Sequence, residues 1–251
     1  MQFVELHARS AFSFLEGASV PEALAYACAN KQLPAMALLD RNGLYGSPRF
    51  HLTAKSNKIK SHVGAELSVG ETQESKSCYY PLLVKNRAGY QNLCRLITKT
   101  KLRAGKNKPT AATLGELQEH AEGLICLTGD EAGPLAEALK SGNKDDARRL
   151  LNRLQSIFGR NNVYVELQRH FRPEQEHRNH AAIDLAREFD LPLLASNGVR
   201  YATPDDRHLL DALTCVKHKC TLDEAGDRLQ INSQRHVRSG AEMLKLFSDL
   251  P

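Results

Sequence analysis

The run Ala35-Met36-Ala37-Leu38-Leu39 is apolar at every position and is followed at once by Asp40-Arg41-Asn42. A short run without polar alternation is typical of a strand that is covered on both faces. Six other runs are nearly continuous in apolar character: Phe3–His7, Val63–Leu67, Tyr80–Val84, Leu124–Leu127, Val163–Leu167 and Leu191–Ala195. The sequence therefore predicts seven buried strands.

Helical patterns lie between several of these runs. Apolar residues recur there at spacings of three and four, which indicates helices with one apolar face. The repeats are Val20, Leu24, Ala27 and Cys28; Ala182, Leu185, Ala186 and Phe189; and Leu209, Ala212, Leu213 and Val216. Alternation of strands and helices predicts the α/β class with a parallel sheet, either doubly wound or closed as a barrel. No glycine-rich phosphate motif follows the first strand, and this favours the barrel.

Composition excludes several classes of protein. A hydrophobic fraction of 41% and a charged fraction of 25% are ordinary for a globular chain. No apolar run approaches the roughly 18 residues that a membrane helix needs, and the start lacks the basic and apolar regions of a signal peptide. We therefore expect a cytoplasmic protein with no membrane partner. Six scattered cysteines form no C-x-x-C pair, so we expect reduced thiols that pack as small hydrophobic residues.

One segment is densely basic, although the net charge of the chain is only +5. Residues 99–113 are predicted to form a long exposed loop. Its positive side chains are candidates for contact with nucleic acid or a protein partner, and the alternative is a solvated loop. The candidates are Lys99, Lys101, Arg103, Lys106 and Lys108.

Polar side chains follow the apolar runs at several strand ends. In β/α barrels the carboxyl ends of the strands meet on one face, where the chemistry is carried out. The residues at these ends are His7 with Arg9, Asp40 with Arg41, Glu66, Asp130, and Gly198 with Arg200. Because alternate residues of a strand share a face, His7 and Arg9 are predicted to lie together, as are positions 198 and 200.

The motifs along nearly the whole chain resemble the PHP domain of bacterial C-family DNA polymerases, the DNA polymerase III alpha-subunit family. The matching segments are Glu5–Ala18 (ELHARSAFSFLEGA), Leu39–Gly46 (LDRNGLYG), Val63–Leu67, Lys85–Leu93 (KNRAGYQNL), Leu127–Asp130 with Gly133–Leu135, Tyr164–His170 (YVELQRH) and Asn197–Ala202 (NGVRYA). The ELQRH run and Leu213–His218 resemble the error-prone, ImuC-type branch. This resemblance implies the PHP fold, a distorted seven-stranded β/α barrel.

The resemblance also implies where active relatives hold metal ions, and this chain departs from it there. Ligand positions would fall at 7, 9, 16, 41, 66, 198 and 200, and near Tyr79 and Asp130. Arginine cannot ligate a metal because its guanidinium stays protonated. We therefore expect a degenerate site without a metal ion or a catalytic residue. Its members are His7, Arg9, Glu16, Asp40, Arg41, Glu66, Asp130, Gly198 and Arg200.

These arginines suggest a second hypothesis. Several carboxylates at one strand end would repel one another, and guanidinium groups can neutralise them in place of metal ions. We expect the arginines at positions 9, 41 and 200 to pair with carboxylates drawn from Glu16, Asp40, Glu66 and Asp130. The alternative is that the carboxylates simply face water.

The resemblance implies the N-terminal PHP domain of an error-prone, translesion DNA-directed DNA polymerase, with a structural or partner-docking role. The alternative is an active metal-dependent phosphoesterase or proofreading exonuclease with fewer ligands. We expect a barrel domain over residues 1–219 and an extension over 220–251 that leads into a polymerase body, whose palm domain would use magnesium. Expected partners are the rest of that chain, DNA through the full-length protein, and other translesion or replisome proteins.

The end of the chain leaves two interpretations open. Met243, Leu246, Phe247 and Leu250 have helical spacing. Such a helix could dock on the polymerase body, together with the basic loop, or it could pack on its own domain.

Overall fold

The computed structural model describes residues 3–72, 75–104, 111–140, 142 and 144–250. Across these residues the chain forms eight strands and ten α-helices. The strands are β1 Glu5–Ala8, β2 Ala35–Arg41, β3 Lys60–Gly70, β4 Cys78–Val84, β5 Ala112–Thr113, β6 Leu124–Leu127, β7 Val163–Leu167 and β8 Leu193–Ala195. The helices are α1 Pro21–Asn30, α2 Ser47–Ser56, α3 Arg87–Ala104, α4 Leu114–Glu119, α5 Pro134–Lys140, α6 Lys144–Phe158, α7 Pro173–Glu188, α8 Arg207–His218, α9 Leu222–Ala225 and α10 Gly240–Leu246.

The strands join in one sheet, ordered β1-β2-β3-β4-β6-β7-β8, with β5 paired to β3. The α/β class and the seven predicted strands are therefore confirmed. Strands β1 and β2 are parallel, and so are β6 and β7. Strand β4, however, is antiparallel to both β3 and β6, so the prediction of a wholly parallel sheet is wrong. Residues 71–77 are too short a connection for the crossover that parallel neighbours need, and the chain turns back on itself instead.

The chain is divided into two compact units. The first comprises Met1–Asp40, Leu44–Val63 and Ala195–Pro251, and the second comprises Arg41–Gly43 and Gly64–Leu194. Each has a core of its own. In the first unit the core includes Leu24, Cys28, Met36, Leu38, Phe50, Val199 and Val237. In the second, the buried residues include Leu82, Leu93, Leu96, Leu117, Leu124, Leu151 and Leu154. The boundary at residue 219 remains a prediction.

The KNRAG motif has a packing role at the start of α3. The Asn86 side chain accepts a hydrogen bond from the Gly89 N–H at 3.0 Å, which satisfies a free donor of the first helical turn. A Cβ atom at Gly89 would lie 1.8 Å from the carbonyl oxygen of Gly123. Only glycine permits this close approach of α3 to the turn that precedes β6.

Helix α3 extends further than the sequence indicated. It continues to Ala104, so Lys99, Lys101 and Arg103 lie on a helix, and the prediction of a loop beginning at residue 99 is wrong. Leu93 and Leu96 of α3 are buried, and the basic residues occupy the exposed side. Lys106 and Lys108 lie outside the described residues.

Helix α8 exposes most of the apolar repeat that predicted it, although Leu213 packs against a buried cluster. Leu209 is 49% exposed and Val216 is 63% exposed, whereas the opposite side of the helix is buried. That buried side includes Asp211, whose carboxylate accepts hydrogen bonds from the Gln230 N–H at 3.0 Å and from Arg207 Nε at 3.2 Å. A carboxylate satisfied in this way can be buried, and the apolar stripe is left facing outward.

Helix α10 packs in the opposite manner. Its Met243 and the residue that ends the helix, Phe247, are both buried within the first unit. Ser239 begins the helix with a capping box, accepting from the Glu242 N–H. These two apolar residues therefore support the interpretation in which the terminal helix packs on its own domain. Across the described residues, no helix combines the length and the apolar character required to cross a lipid bilayer.

Candidate functional site

Two of the segments predicted to form the site lie side by side. The Val199 N–H donates to the His7 carbonyl at 2.9 Å, and the Arg9 N–H donates to the Val199 carbonyl at 2.9 Å. This pairing brings the backbone of His7 and Arg9 beside that of Gly198 and Arg200. His7 and Arg9 are both buried, and Arg200 is partly buried.

The arginine at the end of β2 forms an ion pair with a carboxylate on β3. Arg41 Nε lies 3.2 Å from Glu66 Oε2, and the two side chains are only 12% and 1% exposed. The Arg41 guanidinium also lies over the Tyr79 ring, 3.4 Å from its centroid. The pairing hypothesised between an arginine and a site carboxylate is thus present at Glu66. Because the pair is buried, its charges are weakly screened by water.

The same hypothesis is wrong for Asp40. Its buried carboxylate accepts from the N–H and the hydroxyl of Ser10, from the Ser13 hydroxyl at 2.9 Å and from the Gly46 N–H at 3.1 Å. These neutral donors hold the loop after β1 against the end of β2. Local hydrogen bonds therefore satisfy Asp40, which is not paired with arginine. Glu16 binds another cation, with Lys217 Nζ 2.6 Å from its Oε1.

Asp130 is buried in the turn after β6. Its side chain accepts from the Ala132 N–H at 2.9 Å, and Gly129 adopts a φ of 81° just before it. His7, Glu66 and Asp130 are all buried, and each has a side chain that could ligate a metal ion. One imidazole nitrogen and two carboxylate oxygens suit zinc, manganese or iron. The degenerate site without metal consequently remains a prediction.

The fold agrees with known proteins to which the chain is similar. Residues 5–170 match the family described as PHP domain. The chain belongs to the PHP domain family. A solved amidohydrolase from Chromobacterium violaceum shares the fold, with a TM-score of 0.56 at 13% identity over 79% of this chain and 87% of that one. The predicted PHP fold is therefore confirmed.

Two curated relatives of this PHP domain are much longer proteins. An error-prone DNA polymerase of Mycolicibacterium paratuberculosis is 37% identical over 99% of this chain and 23% of its own length. A DNA polymerase III subunit alpha of Vibrio cholerae is 33% identical over 100% of this chain and 22% of its own length. The chain thus spans less than a quarter of these relatives, and the predicted resemblance to C-family polymerases is confirmed.

Sequence reasoning missed a buried polar network at the end of β7 in this PHP domain. Gln168 Nε2 donates to Glu166 Oε1 at 2.8 Å, and the Glu166 N–H donates to the Thr128 hydroxyl at 2.9 Å. The His170 N–H donates to the Gln175 side chain at 2.6 Å, which attaches the loop to α7. The signal was present as polar residues at 166, 168 and 170 directly after an apolar run. We had interpreted the run Glu166–His170 only as a marker of the polymerase branch.

The predicted nucleic-acid contacts on α3 are partly neutralised by the domain itself. Arg103 Nη1 lies 2.5 Å from Glu116, and Lys99 Nζ lies 3.1 Å from Glu119, so α3 is tied to α4. Burial raises the pKa of Glu116, but the hydrogen bond from the Thr113 N–H and the Arg103 guanidinium outweigh it and hold that pKa at about 2. Positive charges that are paired in this way attract an external phosphate less strongly.

Burial disfavours the thiolate form of two cysteines of the domain, Cys28 and Cys126. All six are free, and three of them are buried. Burial, with a smaller contribution from the charge of Glu5, raises the pKa of Cys28 to about 12, and burial also raises the pKa of Cys126. A thiol with a raised pKa stays protonated near neutral pH and is a poor nucleophile.

Proposed function

We propose that this chain is the PHP domain of an error-prone, translesion DNA-directed DNA polymerase that acts in the cytoplasm, and that its own role is structural or partner docking. The observation that carries the proposal is the buried ion pair between Arg41 and Glu66. The guanidinium occupies a position where the polymerase resemblance implies a metal ligand. It supplies to Glu66 the positive charge that a metal ion would otherwise supply.

The names and lengths of the relatives support the first part of this proposal. Both of those described above are named as DNA polymerases, and at least three quarters of each lies outside the part matched here. Nucleotidyl transfer, with magnesium as its cofactor, would belong to that remainder. Partners of the whole protein would then be DNA and the other proteins of translesion synthesis or replication.

A second candidate function is supported by the three donor atoms of His7, Glu66 and Asp130. In that alternative the domain is a metal-dependent phosphoesterase or proofreading exonuclease with a reduced ligand set. A bound metal ion would lower the pKa of a water molecule for attack on phosphorus. Against it, Arg41 holds Glu66 at 3.2 Å, and a guanidinium there would repel an incoming cation.

Metal analysis separates the two candidates. We expect the purified chain to contain far less than one equivalent of zinc, manganese or iron by mass spectrometry, and to show no exonuclease activity with added manganese. The double variant Arg9→His/Arg41→His restores two imidazoles and removes two fixed charges, so we expect it to take up more metal than the original chain. A stoichiometric metal in the original chain, with exonuclease activity that His7→Ala abolishes, would establish the alternative.

The docking role needs a surface, and α8 provides one. The terminal helix was one predicted docking element, but Met243 and Phe247 are buried in their own unit and are not available. Helix α8 instead presents the exposed side chains of Leu209 and Val216 two turns apart on one face. An apolar helical face of this kind usually lies against another protein surface. We assign it to the remainder of the polymerase chain, which in the relatives is more than three times the length of this domain.

Charge substitution on that face tests the docking. Leu209→Glu/Val216→Glu is expected to reduce the stability of the full-length polymerase, because each apolar side chain buried in an interface contributes about 1.5–3 kcal/mol. The isolated 251-residue chain should keep its melting temperature, since both residues are exposed in it. Leu244→Glu, at another exposed position, is the matched control. Equal losses in the isolated chain and the full-length protein would contradict the assignment.

A further inference from the structure

The segment between Asp40 and Glu66 carries positive charge without any negative charge. Residues 41–65 contain five basic side chains and two histidines, and no aspartate or glutamate. Arg41 and Arg49 are bound to Glu66 and Glu22. The three lysines that remain are Lys55, Lys58 and Lys60, and all three are exposed.

The end of helix α2 fixes the backbone at Lys55 and Lys58. The Ile59 N–H donates to the Ala54 carbonyl at 2.9 Å, and the Lys58 N–H donates to the Lys55 carbonyl at 3.1 Å. Lys58 itself has a φ of 60°, so the helix ends in a Schellman motif. Ala54 and Ile59 are both buried, which anchors the turn and directs the intervening lysine outward.

The strand that follows α2 carries the third lysine, Lys60. The Lys60 N–H donates to the Pro34 carbonyl at 3.0 Å, which places Lys60 at the start of β3. His51 Nδ1 lies 2.7 Å from the Ser61 hydroxyl and so joins α2 to β3. His51 is one turn before Lys55 on the helix, and His62 is exposed two residues after Lys60. We call Lys55, Lys58, Lys60, His51 and His62 the α2–β3 basic face.

The lysines of this face differ from several other basic residues of the domain. Lys99, Arg103, Lys140 and Arg148 each bind a carboxylate of the chain itself. Among the residues that the structure describes, none of the three lysines forms an ion pair. Lys55 lies in the last turn of α2, where it complements the helix dipole. The helix dipole does not explain Lys60, which lies on the strand. Unpaired charges of one sign attract an external polyanion.

We propose that the α2–β3 basic face binds the phosphodiester backbone of DNA. Lysine ammonium groups bind phosphates as point charges without reading the bases, so the contact is independent of sequence. This binding proposal rests on the proposed function only for the identity of the polyanion, which is taken to be DNA. The face serves to hold template or duplex near the domain, and it requires neither a metal ion nor a docked polymerase body.

The salt dependence of DNA binding by the 251-residue chain tests the proposal. Fluorescence anisotropy is measured with a labelled 20-nucleotide single strand and a 20-base-pair duplex at several salt concentrations. Each phosphate contact contributes about 0.9 to the logarithmic salt slope for duplex and about 0.7 for single strands. Lys55→Gln/Lys58→Gln/Lys60→Gln should therefore reduce the slope by about 2–3 and weaken binding at least tenfold at about 50 mM salt. The DNA form, single strand or duplex, for which the triple variant changes the affinity and the salt slope more is the form that this face binds.

Two further variants keep the test decisive. Lys99→Gln/Lys101→Gln/Arg103→Gln removes the same charge from α3 and should leave the slope unchanged. Lys58→Gly suits the positive φ at that position, so the melting temperature should be maintained or raised while the slope falls by about one. The proposal is overturned if the chain does not bind DNA at low salt, if the first triple variant binds like the original chain, or if both triple variants lose affinity equally. The metal analysis and the α8 substitutions decide the proposed function separately.

Discussion

Replacing Arg41 with alanine is expected to lower the free energy of unfolding of the chain by about 3–5 kcal/mol, as is usual when one partner of a buried ion pair is removed. The Glu66 side chain is 1% exposed and would be left as a buried carboxylate without the cation that lies 3.2 Å away. The contact of the guanidinium with the Tyr79 ring would be lost as well. Urea denaturation followed by circular dichroism measures the change.

An exposed ion pair provides the matched control. Arg49 lies 2.5 Å from Glu22, but its side chain is 52% exposed, so Arg49→Ala should cost only about 0–1 kcal/mol. The double variant Arg41→Ala/Glu66→Gln should recover part of the loss, because it removes the unpaired charge. If Arg41→Ala costs no more than Arg49→Ala, the pair does not take the place of a metal ion in stabilising the fold.

Asp40→Ala is the second substitution for which we expect a large effect, a loss of about 3–5 kcal/mol. The carboxylate accepts hydrogen bonds from Ser10, Ser13 and Gly46, and its removal leaves buried donors unsatisfied at about 1–3 kcal/mol each. The loop after β1 would lose its attachment to the end of β2. Thermal and urea unfolding of the variant give the magnitude.

Replacing an exposed aspartate with alanine shows whether the loss of stability is specific to the buried Asp40. Asp205 is exposed, so Asp205→Ala should change the stability by less than about 0.5 kcal/mol. Asp40→Asn keeps one carbonyl oxygen and should fall between the two alanine variants. A loss for Asp40→Ala as small as that for Asp205→Ala would mean that the loop is held by other contacts.

Most strands could be predicted from the sequence because their signal is local. The bounds of β6 and β7 match the apolar runs Leu124–Leu127 and Val163–Leu167. The direction of β4 could not be predicted in the same way. Its apolar run looks like that of a parallel strand, and only the short connection over residues 71–77 indicated an antiparallel return.

The candidate site was predicted in its residues but only partly in its contacts. Alternation along one strand predicts that His7 and Arg9 share a face. It could not tell which cation or donor each carboxylate would meet. Asp40 binds Ser10, which is 30 residues away in sequence, and Glu16 binds Lys217, which is 201 residues away. Such partners are chosen by the packing of loops and not by the residues next to the carboxylate.

The sequence by itself determined the class of the fold, the family resemblance and the presence of arginine or glycine at positions 9, 41, 198 and 200, since these depend on residue type and spacing along one element. Only the tertiary structure decided which charges and apolar faces remain exposed. Lys99 and Arg103 form a basic cluster in the sequence, yet they meet Glu119 and Glu116 in space. The apolar stripe of α8 faces outward because Asp211 is satisfied on the buried side. Burial and neutralisation are properties of neighbours that are distant along the chain, and for that reason periodicity alone cannot reveal them.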